Sequence, residues 1–450
     1  MRRISFRDPL SEVYADNNKI VRKIKKKDFL LFYDLFKKSF YKEMIQKNWV
    51  QKSDILNKEN FVEMTHQKIE NFTEVTEMSS YQLYLSGMQT LNIAIESLKN
   101  DYMLKDASAW NVVFSKGKPL FLDVASFEKW DKQKTWLGYG QFIRHYIIPL
   151  ILNKELKIPT SKLFLLYRDG VYPIDAKNKL GIKIFKSFIY LEYIFAPTIL
   201  KSTKIIRKKD NQEDHDINKR ILLTILERLK KKLISLEPKS SSFWTNYSKK
   251  RDHYSDNDIF KKKQIIENFF KKNTGKVLDI GCNTGEFLFL ASKYSYECHG
   301  IDIDEDCINH IQKNLGDNSI SVANVNISNP TPSIGWKNEE TSGYLKKNIN
   351  YFDTVIFFGI IHHLMILDRI PLNEILELLF NLTKKNLIFE FVSNQDQRFL
   401  ELASVNVDLY RDFTKENFEK LITKYFKISE IHNLEFNKNR SIYILEKIIK

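Results

Sequence analysis

The sequence predicts an α/β protein of two domains. The second is an open, mostly parallel sheet with helices on both faces and a closing antiparallel pair; the first is an α+β domain. Three observations carry this. Residues 277–280, VLDI, read as a short buried strand; GCNTG at 281–285 follows as a turn too tight for ordinary side chains, and 286–294 has helical apolar spacing. A second apolar run at 296–301 ends on Asp302, 21 residues beyond Gly281. Doubly wound folds place there a carboxylate that accepts hydrogen bonds from ribose hydroxyls. Beyond Asp302, helical and strand patterns alternate to residue 446.

In chain order, residues 12–24, EVYADNNKIVRKI, read as a β-hairpin turning at Asp16-Asn17-Asn18, and 27–49 as a helix with a Phe/Leu/Tyr face. A helix at 81–98 leads into 104–128, LKDASAWNVVFSKGKPLFLDVASFE, where a Lys116-Gly117-Lys118 turn separates two apolar strands. Helical segments follow at 140–153, 183–200 and 218–235, and EPKSSS at 237–242 marks the boundary between domains at 1–236 and 243–450. The second domain opens with FWTNYSKKRDHYSD and a helix at 258–271. After Asp302 the pattern predicts helix 307–315, strands 319–325 and 352–358, helix 373–382, strand 386–392, helix 415–425 and the closing strands 427–432 and 441–446.

Composition sets the outer bounds. With 43% hydrophobic and 13% aromatic residues in 450, wholesale disorder is excluded. The three cysteines, Cys282, Cys298 and Cys307, have spacings that fit no zinc site and make a disulfide framework an unsuitable reading, so a reducing cytoplasm is expected. The N-terminus has no apolar signal core, and the most apolar stretch, 188–200, is 13 residues long and interrupted by Glu192. Neither a signal peptide nor a membrane span is expected. The net charge of +15 is unevenly placed: residues 1–250 carry +18 and residues 251–450 carry −3. The basic runs KSTKIIRKKD and ERLKKKL read as solvated helix faces in preference to a polyanion or membrane-surface patch, so nucleic acid is not the favoured partner.

The chemistry begins at the 276–287 unit, KVLDIGCNTGEF. Dinucleotide sites use G-x-G-x-x-G to admit a pyrophosphate, whereas here the pattern is D-x-G-x-N-x-G. An acid at Asp279 would repel a pyrophosphate but could organise the surroundings of a ligand carrying an ammonium group. The stretch resembles motif I of class I S-adenosylmethionine (SAM) methyltransferases, and HGIDID at 299–304 resembles their second motif. The resemblance implies a Rossmann-like sheet and a SAM site built from Asp279, Gly281, Asn283, Gly285 and Asp302. Asn283 replaces the more usual glycine, and Asn enters the left-handed region easily. Asn326 lies where an adenine-contacting Asp is expected. After the fourth strand, His362 and His363 are candidates for a catalytic base, and Glu390 for substrate contact, with a carboxylate satisfied by backbone N–H groups as the plainer reading of Glu390.

In the first domain Asp106, Asn111 and Asp123 resemble the catalytic-loop and metal-binding elements of the protein-kinase and aminoglycoside-phosphotransferase fold. There the first Asp accepts a hydroxyl proton while the Asn and second Asp hold Mg²⁺ against nucleotide phosphates. The first glycine of the chain is Gly87, so no Gly-rich phosphate loop precedes these residues. Only Arg22 or Lys23 could replace a phosphate-binding lysine. This absence argues against Mg·ATP and for a kinase-like but inactive domain, whose cleft should lack a cationic partner.

VNISNPTPSIGW at 325–336, IIHHLMILDRIPL at 360–372 and FEFVSNQD at 389–396 resemble the methyltransferase half of the nodulation NoeA-type family, and FRDP at 6–9 and the 104–128 segment resemble its N-terminal half. The family resemblance implies a SAM-dependent methyltransferase fused to a kinase-like domain, acting on a hydroxyl of a sugar, glycan or related small acceptor. Two alternatives stay open: an RNA or protein methyltransferase holding its polymer on the basic half, and a binding or scaffold protein with two degenerate nucleotide folds.

Overall fold

The computed structural model describes residues 2–8, 11–16, 18–58, 60–132, 135–199, 215–239, 256–316 and 320–448. The chain divides into two compact units, Met1–Lys239 and Ser240–Lys450.

The first unit holds a five-stranded antiparallel sheet of order β1-β2-β3-β5-β4, from β1 (Arg2–Ser5), β2 (Ser11–Ala15), β3 (Lys19–Lys25), β4 (Asp54–Asn57) and β5 (Phe61–Gln67). The β2–β3 hairpin falls where the alternation puts it, closed by the Asp16 N–H donating to the Lys19 carbonyl. The helix expected at 27–49 is two, Lys26–Lys37 and Ser39–Gln46, because Lys38 is extended (ψ 138°). That break turns Phe40, Tyr41 and Met44 into the core. Helix Ser80–Lys99 starts on a capping box in which Ser79 and Gln82 satisfy each other's backbone N–H. It leads to β6 (Tyr102–Leu104), β7 (Val112–Ser115), β8 (Lys118–Phe121) and β9 (Phe127–Lys129), paired β6 with β9 and β7 with β8. Lys116 (φ 49°) and Gly117 (φ 71°) supply the two left-handed residues that a tight hairpin of right-handed twist needs. The helical stretches expected at 140–153 and 183–200 are interrupted by π-helical turns at Ile143–Ile147 and Leu191–Phe195, and Gly181–Lys186 is a 3₁₀ helix. The last helix of this unit is His215–Ile234.

The second unit is a seven-stranded sheet of order β12-β11-β10-β13-β14-β16-β15. Its strands are β10 (Lys276–Ile280), β11 (Glu297–Asp302), β12 (Ile320–Asn324), β13 (Phe352–Phe357), β14 (Thr383–Val392), β15 (Phe426–Asn433) and β16 (Arg440–Lys447). β10 to β14 run parallel, and β16 is antiparallel to both β14 and β15. This is the mixed α/β sheet the alternation predicts. The chain runs outward from β10 through β11 to β12, then returns to β13 on the other side, so the switch of direction lies beside β10. Crevices at such a point, outside the carboxyl ends of the strands, are where open α/β sheets take ligands. Helices Asp256–Phe270, Glu286–Ala291, Glu305–Lys313, Leu372–Leu382 and Lys415–Ile422 cover the faces. Three short helices go beyond the expected set: Tyr344–Asn348, Ile361–Ile366 and Gln397–Ala403. Of the aromatic-rich stretch at 243–256, all but Asp256 lies outside the described residues, as does the basic run at 201–210.

The apolar faces of the sheet are closed by two clusters, one around Leu278, Ile301 and Phe389 and the other around Val277, Ile320 and Ile356. His299 is buried between the rings of Tyr344 and Phe352, centroids 6.1 and 5.9 Å away, and burial lowers its pKa to about 3. All three cysteines are buried. No helix among the described residues is long and apolar enough to cross a membrane.

Candidate cofactor and active site

The turn after β10 is set by three left-handed residues, Gly281 (φ 71°), Asn283 (φ 47°) and Gly285 (φ 85°). Gly281 is required for a second reason: a Cβ there would clash with Ile360 Cδ1, in the loop after β13. The Gly281 and Cys282 N–H groups donate to the Ile301 carbonyl at 2.8 and 3.0 Å, which ties the turn to the end of β11. Asn283 earns its left-handed place through its own side chain, whose Oδ1 accepts from the Thr284 N–H at 2.6 Å.

Asp302 organises this edge. Its Oδ2 accepts from the Asn283 N–H and its Oδ1 from the Asp304 N–H, both at 2.8 Å. Burial lifts its pKa to about 6, against the pull of those N–H groups. Each carboxylate oxygen keeps a further lone pair. Asp279, 3% exposed, has no donor on Oδ2, and burial together with the Asp302 charge pushes it up to about 8. A buried oxygen with no partner is costly unless a ligand or water completes it. Asn326, just past β12, spends its Oδ1 on the Ser328 N–H and hydroxyl, which leaves its Nδ2 as a donor. The residues named from the motif thus converge at the carboxyl ends of β10, β11 and β12.

His362 and His363 lie on helix Ile361–Ile366, after β13, with ring centroids 4.4 Å apart. His362 is buried and its Nδ1 has no partner; His363 is half-buried. Burial first, then the neighbouring His363 and the Arg440 and Arg398 cations, lower the pKa of His362 well below the usual range. Burial, Arg398 and Arg440 likewise lower His363. Both rings are neutral at pH 7.

Glu390, in β14, is fully buried, and its partner differs from the backbone N–H groups expected of it. Its Oε1 accepts from Lys262 Nζ at 2.7 Å, with Arg440 Nη1 at 3.9 Å. Arg440 in turn grips Asp396 through Nε and Nη2, at 2.8 and 2.9 Å. Burial would raise the Asp396 carboxyl, but Arg440 and Asn437 outweigh it and hold it at about 2. Four buried charges of alternating sign so link helix Asp256–Phe270 to β14, β16 and the loop between β14 and helix Gln397–Ala403. Asp258 adds to the link by accepting from the N–H groups of Glu435, Phe436 and Asn437. Sequence reasoning missed Lys262, Asp258, Asp396 and Arg440. Lys262 had a signal: it stands three, four and eight residues before Ile265, Ile266 and Phe270, on the apolar face of its helix.

In the first unit, Arg22 on β3 reaches Asp123 Oδ1 through Nη2 at 3.0 Å, and its Nη1 meets Asp8 Oδ2 at 3.3 Å and Ser11 Oγ at 3.0 Å. The Ser126 hydroxyl donates to Asp123 Oδ2 and accepts from Asn111 Nδ2, so Asn111 and Asp123 are joined through it. Burial and then the Asp123 charge raise the pKa of Asp106, with Asp8 adding to the effect. The three predicted residues therefore sit in one neighbourhood, but the cation-free cleft expected beside them is instead occupied by Arg22. Lys23, on the opposite face of β3, lies over the rings of Tyr14 and Phe61.

A family model described as a methyltransferase domain matches residues 252–431. The chain is 24% identical over 396 residues to nodulation protein NoeA of Rhizobium meliloti (strain 1021), covering 85% of this chain and 82% of that protein. Among solved structures, N-methyltransferase NodS from Bradyrhizobium japonicum WM9 with S-adenosyl-L-homocysteine is 14% identical, covering 46% of this chain and 99% of that one with a TM-score of 0.32. Magnesium protoporphyrin IX methyltransferase from Synechocystis PCC 6803, also with S-adenosyl-L-homocysteine bound, is 16% identical, covering 45% of this chain and 94% of that one, TM-score 0.31. The residues present fit SAM: the orphaned Oδ2 of Asp279 suits a ligand with an ammonium group, the spare lone pairs of Asp302 suit a diol, and the Gly281 and Gly285 turn leaves the backbone open.

Proposed function

Given that the protein is a SAM-dependent methyltransferase, we propose that it methylates a hydroxyl of a sugar, glycan or related small acceptor, with His363 or His362 receiving the hydroxyl proton. The observation that carries the hydroxyl reading is the pair of neutral imidazoles after β13, in the loop that also packs Ile360 against the Gly281 turn. The sugar reading rests on the likeness to nodulation protein NoeA, which spans both units. Asp279, Gly281, Asn283, Gly285, Asp302 and Asn326 would hold SAM, which supplies a methyl group already activated on a sulfonium. His363, the more open ring, takes up the proton as the oxygen becomes a nucleophile, and His362 backs it. Glu390 acts as a positioning residue through Lys262 and Arg440, because its full burial keeps it from the acceptor.

Methyl-labelled SAM incubated with the protein and fractionated cell extract tests the reading. Label should enter a sugar-containing fraction; label in RNA or protein would favour the polymer alternative. With an acceptor in hand, His363→Ala is expected to lower kcat by about 10² to 10⁴ and leave SAM affinity unchanged. An unaltered kcat in both His363→Ala and His362→Ala would remove the base from the scheme.

For the first unit we propose a kinase-like fold that has lost phosphoryl transfer. Arg22 and Ser126 already engage both oxygens of Asp123, so a metal ion would have to displace an ion pair. A ligand at 100 times its dissociation constant adds about 2.7 kcal/mol to the state that binds it. Millimolar Mg·ATP is accordingly expected to leave the melting of this unit in place. A shift that disappears in Asp123→Ala would establish a working nucleotide site.

A further inference from the structure

The 3₁₀ helix Gly181–Lys186 projects from the first unit. A Cβ on Gly181 would meet nothing within 4 Å, and Ile182 beside it is 88% exposed. In a helix of three residues per turn, i and i+3 eclipse each other, so Ile182 and Phe185 share one face. Phe185 is 64% exposed, and Phe188, three residues on, 68%. A soluble surface rarely spends three large apolar side chains on one protruding turn without a use for them.

The charges around this turn say what kind of partner it suits. Residues 176–191 contain four lysines and no carboxylate. Lys183 donates to the Glu155 backbone carbonyl at 3.1 Å and Lys186 pairs with the Glu155 carboxylate at 2.9 Å, while Lys179 is exposed. Asp175 and Glu192 flank the stretch, and Glu192 is paired with Arg228 and Lys232, so cations outnumber carboxylates around the apolar side chains. Exposed apolar side chains with lysines beside them fit a surface whose interior is apolar and whose rim is anionic.

We propose that the Gly181–Lys186 turn, with Phe188, docks the protein on an anionic lipid surface, the three apolar side chains entering the headgroup layer and the lysines meeting lipid phosphates. This is peripheral binding and involves no spanning helix. The full chain mixed with vesicles of phosphatidylcholine alone, or of phosphatidylcholine with phosphatidylglycerol, and then sedimented, tests it. The protein should pellet with the anionic vesicles, less as salt rises, each lysine contributing about fivefold to the partition. Ile182→Glu should lower that partition about tenfold or more. Because Ile182 points into solvent, the variant should melt with the native protein, which separates lost docking from lost folding. Absence of pelleting, or pelleting that Ile182→Glu leaves unchanged, overturns the proposal. So does a dimer in sedimentation velocity that Ile182→Glu dissolves, which would assign the face to a second copy.

Discussion

Arg440→Met is expected to destabilise the second unit by about 3–5 kcal/mol, the cost of leaving buried charge uncompensated. The guanidinium is 3% exposed, makes both hydrogen bonds to Asp396 and stands beside Glu390. Methionine fills much of the volume but returns none of the charge, so Asp396 and Glu390 would face each other across the gap with Lys262 as their remaining cation. Lys262→Met should cost a similar amount through Glu390 alone. The double variant Lys262→Met/Glu390→Leu should cost less than Lys262→Met, because an apolar pair replaces an ion pair more cheaply than half of one. Urea unfolding, followed by hydrogen exchange at β14 and β16 to isolate this unit, measures all three. Additive losses in the double variant would show that the two residues do not act as a pair.

Asp302→Ala should weaken SAM binding by about 1 to 3 kcal/mol, or about fivefold to 150-fold, through lost hydrogen bonds to ribose. The geometry adds a second route to the loss. The same carboxylate holds the Asn283 and Asp304 N–H groups, so its removal also loosens the turn that presents Gly281 and Gly285. Asp302→Asn, which keeps one acceptor oxygen, should retain more affinity than Asp302→Ala. Isothermal titration gives the affinities, and the melting temperature without ligand reports the turn. Unchanged affinity in Asp302→Ala would place the ligand elsewhere.

The parts of the fold that could be read in advance are those whose cause is local. Apolar runs bounded by glycine gave β10 and β11, the spacing of Asp302 placed it against the turn, and Asp16-Asn17-Asn18 marked the hairpin between β2 and β3. The parts that escaped depend on distant partners. β4 is wholly exposed along its length, DILN, and becomes a strand only because Val62 and Met64 of β5 give it a template. Glu390 lies 128 residues from Lys262 and 50 from Arg440, so its ion-pair partners leave no trace in its neighbourhood. Arg22 could be named as a stand-in cation by its strand, but its contact with Asp123 spans 101 residues. The break at Lys38 has no glycine or proline to announce it; burial of Phe40, Tyr41 and Met44 decides it.

The order of the second sheet also constrains synthesis. β16 is made after β15 yet lies inside it, between β15 and β14. Asp258, near the start of the unit, accepts from backbone N–H groups at 435–437, immediately before β16. A nascent chain that has reached β14 therefore exposes an unpaired strand edge and a helix whose Asp258 carboxylate still waits for the backbone at 435–437. The first unit can close while the ribosome is still at work on the second, because domains fold as units as they emerge. The second must stay open until residues through Lys447 have left the exit tunnel, and at about 5–20 residues per second that interval lasts several seconds. A pause in translation between β14 and β16 would prolong it, making codon speed along residues 393–439 a determinant of how much active protein a cell obtains.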